Sequence, residues 1–295
     1  MKNNIIILLS LLFLVHCTPP SIPPGLEDLE KSLMALLDSA DGDFALVFKN
    51  LDDTSQYIAI HGEESFHAAS TMKTPVMIEI FRQASQGKFA MDDSIEVINS
   101  FTSIVDGSLY QMDLGVDSQE SLYNLIGKKS TYYDLTFEMI TRSSNLATNI
   151  LIERVRADNV MQTMKQLGAD QIQVLRGVED LKAYEAGRNN TTTAQDLLII
   201  MEAIAKEEVE GADEMFNILS QQFFNDQIPE LLPEEVVDAH KTGSITGVQH
   251  DSGIIRLPDG RQYILVTLSK NLDSTEEGKR VNAEASRRVY DFMDN

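Results

Sequence analysis

The chain has 295 residues, 43% of them hydrophobic and 24% charged, enough for one large domain or two subdomains sharing a core. Its 46 acidic against 24 basic residues give a formal charge of -22, which repels nucleic acid and offers no basic stripe for an anionic membrane surface. A single cysteine, Cys17, rules out an intramolecular disulfide, and the five histidines show no metal-ligand spacing, so neither a metal nor another cofactor is expected.

Met1-Lys2-Asn3-Asn4 leads into the apolar run Ile5 to Val15, too short to span a bilayer and long enough for the core of a signal peptide over residues 1–16. The stretch Leu14-Val15-His16-Cys17 resembles a bacterial lipobox, with His16 where a small residue is usual. That resemblance implies export, lipidation of Cys17 as the mature N-terminus, and a periplasmic or membrane-anchored lipoprotein. A plain cleaved signal with an incidental cysteine is the alternative. The proline-rich residues 17–25 read as an extended tether, and residues 26–295 as the folded domain.

Leu29, Leu33, Leu36 and Leu37 fall at helical spacing within Leu26 to Leu37, while Phe44 to Phe48 and Tyr57 to Ile60 read as short, turn-bounded strands. From Ser70 to about Lys206 helical patterns dominate: Val76 to Ala84, Tyr133 to Thr141, Ala147 to Val155, Val160 to Leu167 and Thr193 to Ala205. Val236 to Ala239, Ser252 to Leu257 and Gln262 to Leu268 then read as extended, the last two joined by a Pro258-Asp259-Gly260 turn, and an amphipathic helix closes the chain from about Thr275 to Met293. The order predicts an α/β fold: an antiparallel sheet flanked by terminal helices (residues 26–69 and 225–295) with an inserted all-helical lobe (residues 70–224), and a site in the cleft between them.

Three short motifs sit at domain-scale spacing. Ser70-Thr71-Met72-Lys73 follows the first strand pair and opens a helix, where a spacing of three puts serine and lysine on one face, and a desolvated lysine can take the serine proton. Ser143-Ser144-Asn145 lies where two helical patterns meet. Lys241-Thr242-Gly243-Ser244 continues a strand, with a cation suited to a substrate carboxylate and a glycine that lets a substrate approach the backbone. Each motif alone is also what a helix cap or an edge-strand lysine gives, and the chain carries a second SxxK, Ser85 to Lys88, and a second SxN, Ser269 to Asn271.

Taken together the motifs resemble the penicillin-recognising serine hydrolases, most closely class A beta-lactamases, over roughly Leu26 to the C-terminus. Ser143 to Asn149 is similar to the family's SDN segment with Ser144 replacing aspartate, and Thr191-Thr192-Thr193 is similar to the threonine run after its omega loop. The resemblance implies the beta-lactamase/DD-peptidase fold, with Ser70 as the acylated nucleophile, Lys73 as its base and Ser143 as proton shuttle. It further implies that Asn145 orients substrate and Lys73, that Lys241, Thr242 and Ser244 bind the carboxylate, and that the amides of Ser70 and Ser244 form an oxyanion hole.

The omega-loop segment departs from the family: Arg176 to Glu179 carries one extra residue, and no asparagine follows at the usual place. Glu179 is the candidate deacylating base, Glu185 the second candidate, and solvated loop carboxylates the alternative to both. Asn190 stands where an aspartate would pair with Arg176. The segment Phe101 to Lys128 is longer than the family's equivalent, and Tyr110 and Tyr123 are read as lining the cleft or, equally, as surface packing. His240 and His250, beside the KTG strand, are read as structural.

Three functions follow: a monomeric beta-lactamase acylated on Ser70; a related peptidase or hydrolase of a D-alanyl peptide or other amide or ester, slow to release beta-lactams; or a non-catalytic surface lipoprotein. In the catalytic readings the substrate is a small molecule or peptide bearing a carboxylate.

Overall fold

The computed structural model describes residues 25–294; the signal, lipobox and most of the tether read from the sequence lie outside the described residues. Five strands form the main sheet: β1 (Asp43–Asn50), β2 (Tyr57–Ile60), β3 (Val237–Ile245), β4 (Val248–Arg256) and β5 (Gln262–Lys270). They run in the order β2-β1-β5-β4-β3, with every neighbouring pair antiparallel. The turn between β4 and β5 is the Pro258-Asp259-Gly260 segment, where Gly260 takes φ 94°, a left-handed conformation that glycine adopts without strain.

Because side chains alternate across a strand, each strand feeds two cores. Ala45 and Val47 of β1, with Ile264, Val266 and Leu268 of β5, face the helical part of the molecule. Phe44, Leu46 and Phe48, with Tyr263 and Leu265, face a second core made with the terminal helices α1 (Leu26–Asp38) and α9 (Thr275–Met293). Leu29, Leu33, Leu36 and Leu37 of α1 are buried there against Val281, Ala285, Val289 and Met293 of α9. A sheet covered on both faces explains why its central strands are buried along nearly their whole length.

The inserted part carries α2 (Lys73–Ser85), α3 (Tyr132–Thr141), α4 (Asn145–Val155), α5 (Ala157–Leu167), α6 (Leu181–Glu185), α7 (Ala194–Ala205) and α8 (Ala212–Leu219). Of these, α7 packs directly on β1, β4 and β5, and α2 is buried along most of its length against α3, α4 and α5. Short strand pairs punctuate the helices, notably Phe66–His67 with Thr191–Thr192. That pair ties the chain entering the Ser70 turn to the end of the 176–190 loop, so the pairing itself brings the loop beside the serine.

Candidate active site

Ser70 sits on a 3-10 turn, Ala69–Met72, that runs straight into α2 at Lys73. Ala69 is held at φ 45°, a left-handed conformation that costs a non-glycine residue on the order of 1 kcal/mol. The turn is fixed on both sides: the Ala69 amide donates to His67 Nδ1 (3.0 Å) and the Thr71 hydroxyl to the Ala68 carbonyl (2.6 Å). Across from it, a Cβ on Gly243 of β3 would meet Thr71, Ala69 and His250 at 3.1 to 3.3 Å. The missing side chain thus lets β3 lie against the nucleophile's turn.

Lys73 is fully buried, and its ammonium donates to the Ser143 carbonyl (2.7 Å), the Ser143 hydroxyl (3.0 Å) and Asn145 Oδ1 (2.9 Å). Burial first, and then the positive charge of Lys241, push Lys73 well below the ordinary lysine range, against the opposing pull of Asp117 and Glu179. Ser143 occupies the break between α3 and α4 with φ 55°, which turns its carbonyl and hydroxyl together toward the lysine. Asn145 opens α4. Its amide and that of Leu146 donate to the buried carboxylate of Asp117 at 3.1 and 2.8 Å, a partner 28 residues away along the chain from Asn145.

On β3, Lys241 Nζ donates to Ser143 Oγ (3.2 Å) and to the Thr242 carbonyl (3.0 Å), and burial lowers it to about 7. Ser244 Oγ accepts from Gln249 Nε2 at 2.7 Å. On the far side of the strand His240 Nδ1 faces Asp251 (2.9 Å) and Nε2 faces Asn225 (3.1 Å); burial works against its charge, but Asp251 and Asp238 hold it up at about 9. His250 donates through Nε2 to the His67 carbonyl (2.8 Å) and accepts the Ser269 amide on Nδ1 (3.1 Å), with burial lowering it to about 4. Both histidines thus brace strands. Among the described residues no cluster of histidine, cysteine and carboxylate side chains is arranged to hold a metal ion.

The 176–190 loop closes one wall. Asn190 accepts the Leu175 and Arg176 amides (2.8 and 3.2 Å) and donates back to the Arg176 carbonyl (3.0 Å). The Arg176 guanidinium meanwhile bonds the Arg188 and Gly177 carbonyls and Asn189 Oδ1. The guanidinium's hydrogen-bond partners in the clasp are thus all neutral groups. Asn149 of α4 grips the loop by both backbone groups of Val178, accepting its amide at 2.7 Å and donating to its carbonyl at 3.0 Å. The next residue, Glu179, takes φ 60° and lines the cavity that holds Ser70.

Two cavities meet at the serine. One, of about 320 Å³, is lined by Ser70, Ser143, Asn145, Thr242 and Ser244 and extends past Gln249 to Lys279. The other, of about 200 Å³, is lined by Ser70, Asn145, Ser244 and Glu179 with Val178, Leu181, Tyr184 and Ile245. Glu185 is exposed at the end of α6 and lines neither, which removes it as the second candidate base. Of the two readings of Tyr110 and Tyr123, packing fits: neither lines these two cavities, Tyr110 donates to the Val178 carbonyl (3.2 Å) and Tyr123 to Asp117 (3.1 Å). The duplicate motifs fall outside the site: Ser85 bonds the Arg82 carbonyl on α2, and Ser269 the Gln249 carbonyl inside the sheet.

Sequence reasoning missed Asp117, Asn149's grip on the loop, Gln249 and Lys279. Lys279 lies on the buried margin of the amphipathic α9, paired with Asp226 at 2.8 Å, and a basic residue beside that helix's apolar stripe was the one visible signal.

The sequence profile described as the Beta-lactamase enzyme family matches residues 28–293. The chain is 25% identical over 265 residues to the extended-spectrum beta-lactamase PER-1 of Pseudomonas aeruginosa, covering 81% of this chain and 79% of that one. It is 24% identical over 193 residues to a beta-lactamase of Bacteroides uniformis, a match to 58% of this chain that spans 65% of that relative's length. A mutant of PBP-A solved as an acyl-enzyme complex with penicillin G has the same fold, with a TM-score of 0.78 at 24% identity over 94% of this chain and 99% of that one.

Proposed function

This chain belongs to the Beta-lactamase enzyme family, and from that premise we propose that it is a serine hydrolase that opens beta-lactam amides through an acyl-enzyme on Ser70. The observation that carries the reading is the convergence of Lys73 and Lys241 on Ser143 Oγ, at 3.0 and 3.2 Å, in a cavity shared with Ser70 and Ser244.

In the first step neutral Lys73 takes the Ser70 proton as Oγ attacks the lactam carbonyl carbon. The amides of Ser70 and Ser244 receive the oxyanion, while Lys241, Thr242 and Ser244 hold the substrate carboxylate. Ser143 passes a proton to the departing nitrogen, drawing it from the lysine side, and the carbon–nitrogen bond breaks. In the second step Glu179 takes a proton from water as the water oxygen attacks the ester carbonyl carbon, the bond to Ser70 Oγ breaks, and the proton is returned to Ser70, which leaves as the alcohol while Glu179 is again a carboxylate. Glu179 suits this step because Asn149 pins the residue before it and its side chain lines the same cavity as Ser70.

A second reading has a specific support. Glu179 follows a loop segment one residue longer than the family's and takes a left-handed conformation, and a small error in its aim would leave acylation intact while slowing release, as in a peptidase or hydrolase of another amide or ester. Pre-steady-state hydrolysis of a chromogenic beta-lactam separates the two: steady turnover without a burst supports the first, and a stoichiometric burst followed by slow release the second. A Ser70→Ala protein that retained full biological function would support a non-catalytic role instead.

Export with a lipid on Cys17 is proposed from the sequence. On the lipoprotein reading the lipid on Cys17 is the anchor; among the described residues no helix is long and apolar enough to cross a membrane. Cys17→Ser should move the protein from the membrane to the soluble fraction.

A further inference from the structure

We infer that Asp117 is a positioning residue for acylation: contributed by the extended 101–128 segment, its carboxylate holds the start of α4 and so aims Asn145 at Lys73. The inference rests on the reading of Ser70 as an acylated nucleophile.

The amide donors at the start of α4 can be followed one by one. The first four N–H groups of a helix have no partner within it and must find one elsewhere. The Ser144 amide donates to the Glu138 carbonyl (3.1 Å) and the Ala147 amide to Ser144 Oγ (3.2 Å). Ser144 is the helix cap, and its one side-chain oxygen is thereby used. The two remaining amides, of Asn145 and Leu146, go to the two oxygens of Asp117, at 3.1 and 2.8 Å. Position 144 is where the SDN segment carries aspartate; here serine caps one donor, and a carboxylate from another part of the chain covers two.

Asp117 is itself fixed. It is buried, its Oδ1 accepts the Gln119 amide (3.1 Å) and its Oδ2 accepts the Tyr123 hydroxyl (3.1 Å). The residue whose amide it grips, Asn145, presents Oδ1 to Lys73 at 2.9 Å. Asp117 therefore acts on the base twice: mechanically, through the Asn145 backbone, and through space, as a negative charge that opposes the effects of burial and of Lys241 on Lys73. The charged groups that act on Lys73 are Lys241, Asp117 and Glu179, and Asp117 also acts on Tyr123 together with Asp113 and Glu179.

The test uses Asp117→Asn, which keeps the side chain's shape and one acceptor oxygen, beside Asp117→Ala, with folding checked by thermal melting. Single-turnover acylation by benzylpenicillin should fall on the order of tenfold in Asp117→Asn and toward about 10²-fold in Asp117→Ala, the scale of a misplaced catalytic group. Removing the negative charge should also move the Lys73 titration to lower pH, read by NMR of 13Cε-labelled lysine with Lys73 assigned through Lys73→Arg. Adding Ser144→Asp to Asp117→Asn should recover part of the lost rate, since aspartate caps a helix start well. In the parent protein Ser144→Asp should slow acylation, because two carboxylates would then meet. Acylation at the parent rate in both Asp117 variants overturns the inference, as does a slower rate with an unmoved Lys73 titration, which would make Asp117 a purely structural residue. If the parent protein itself is not acylated, the proposed function fails, and the Lys73 titration still decides the role of Asp117.

Discussion

Lys73 and Lys241 reach the same oxygen, Ser143 Oγ, from opposite sides of the cleft, at 3.0 and 3.2 Å. Two buried ammonium groups on one acceptor repel each other, and the repulsion joins burial in driving Lys73 toward the neutral amine that a base must be. Ser143 is then the natural proton carrier between the lysines and a leaving nitrogen.

Replacing Lys241 by methionine removes the like charge, so Lys73 should rise toward the ordinary lysine range. The ascending limb of the acylation rate against pH should move to higher pH, the direction opposite to that expected for Asp117→Asn. A limb that stays in place would separate the two lysines electrostatically.

Asn149→Ala should release the loop without touching the nucleophile. It strips the Val178 amide of its partner and leaves the Val178 carbonyl with the Tyr110 hydroxyl alone, at a cost of about 1–3 kcal/mol in stability for a partly buried polar group left unpaired. Deacylation should slow by more than acylation does, read as a larger burst and a lower steady rate. Equal slowing of both steps would place Asn149 outside the release step.

The buried cluster behind β3 predicts stability that declines as pH rises. His240 is raised to about 9 from 6.5, so its contribution is complete below 6.5 and is lost as pH climbs through about 9. Asp238 is raised to about 7 from 3.8 by burial first, so its folded form prefers the proton and loses stability between those values. Both of its carboxyl oxygens are buried without a hydrogen-bond partner among the described residues. Asp238→Asn should raise the melting temperature at pH 8 and flatten the decline between pH 4 and 7, checked by thermal melts across that range. A steeper decline in the variant would contradict this assignment.

How far the site was legible follows from the kind of signal each residue leaves. Ser70, Lys73, Ser143 and Lys241 stand in short local motifs, and the structure brings all four to one cleft. Asp117 leaves no local pattern, because it serves a helix that begins 28 residues later, and an acidic chain offers 46 carboxylates to choose from. The strand β3 shows its apolar pattern only from Val236 to Ala239, and its continuation through Lys241 to Ser244 was legible from the motif alone, because the strand is buried there with polar residues that break the apolar alternation; it runs to Ile245. The helix α8 went unread: its buried residues, Ala212, Met215, Ile218 and Leu219, fill barely two turns. The α/β architecture was legible because the periods are long: α1, α2, α5, α7 and α9 all lie where apolar spacing places them.

The acyl-enzyme itself is the most direct test. Intact-protein mass spectrometry after mixing with benzylpenicillin, followed by peptide mapping, should show one covalent adduct on the peptide containing Ser70, absent from Ser70→Ala. It should be transient in the parent protein and persistent in Glu179→Gln. An adduct on another residue, or none with any acylating probe, would contradict the account.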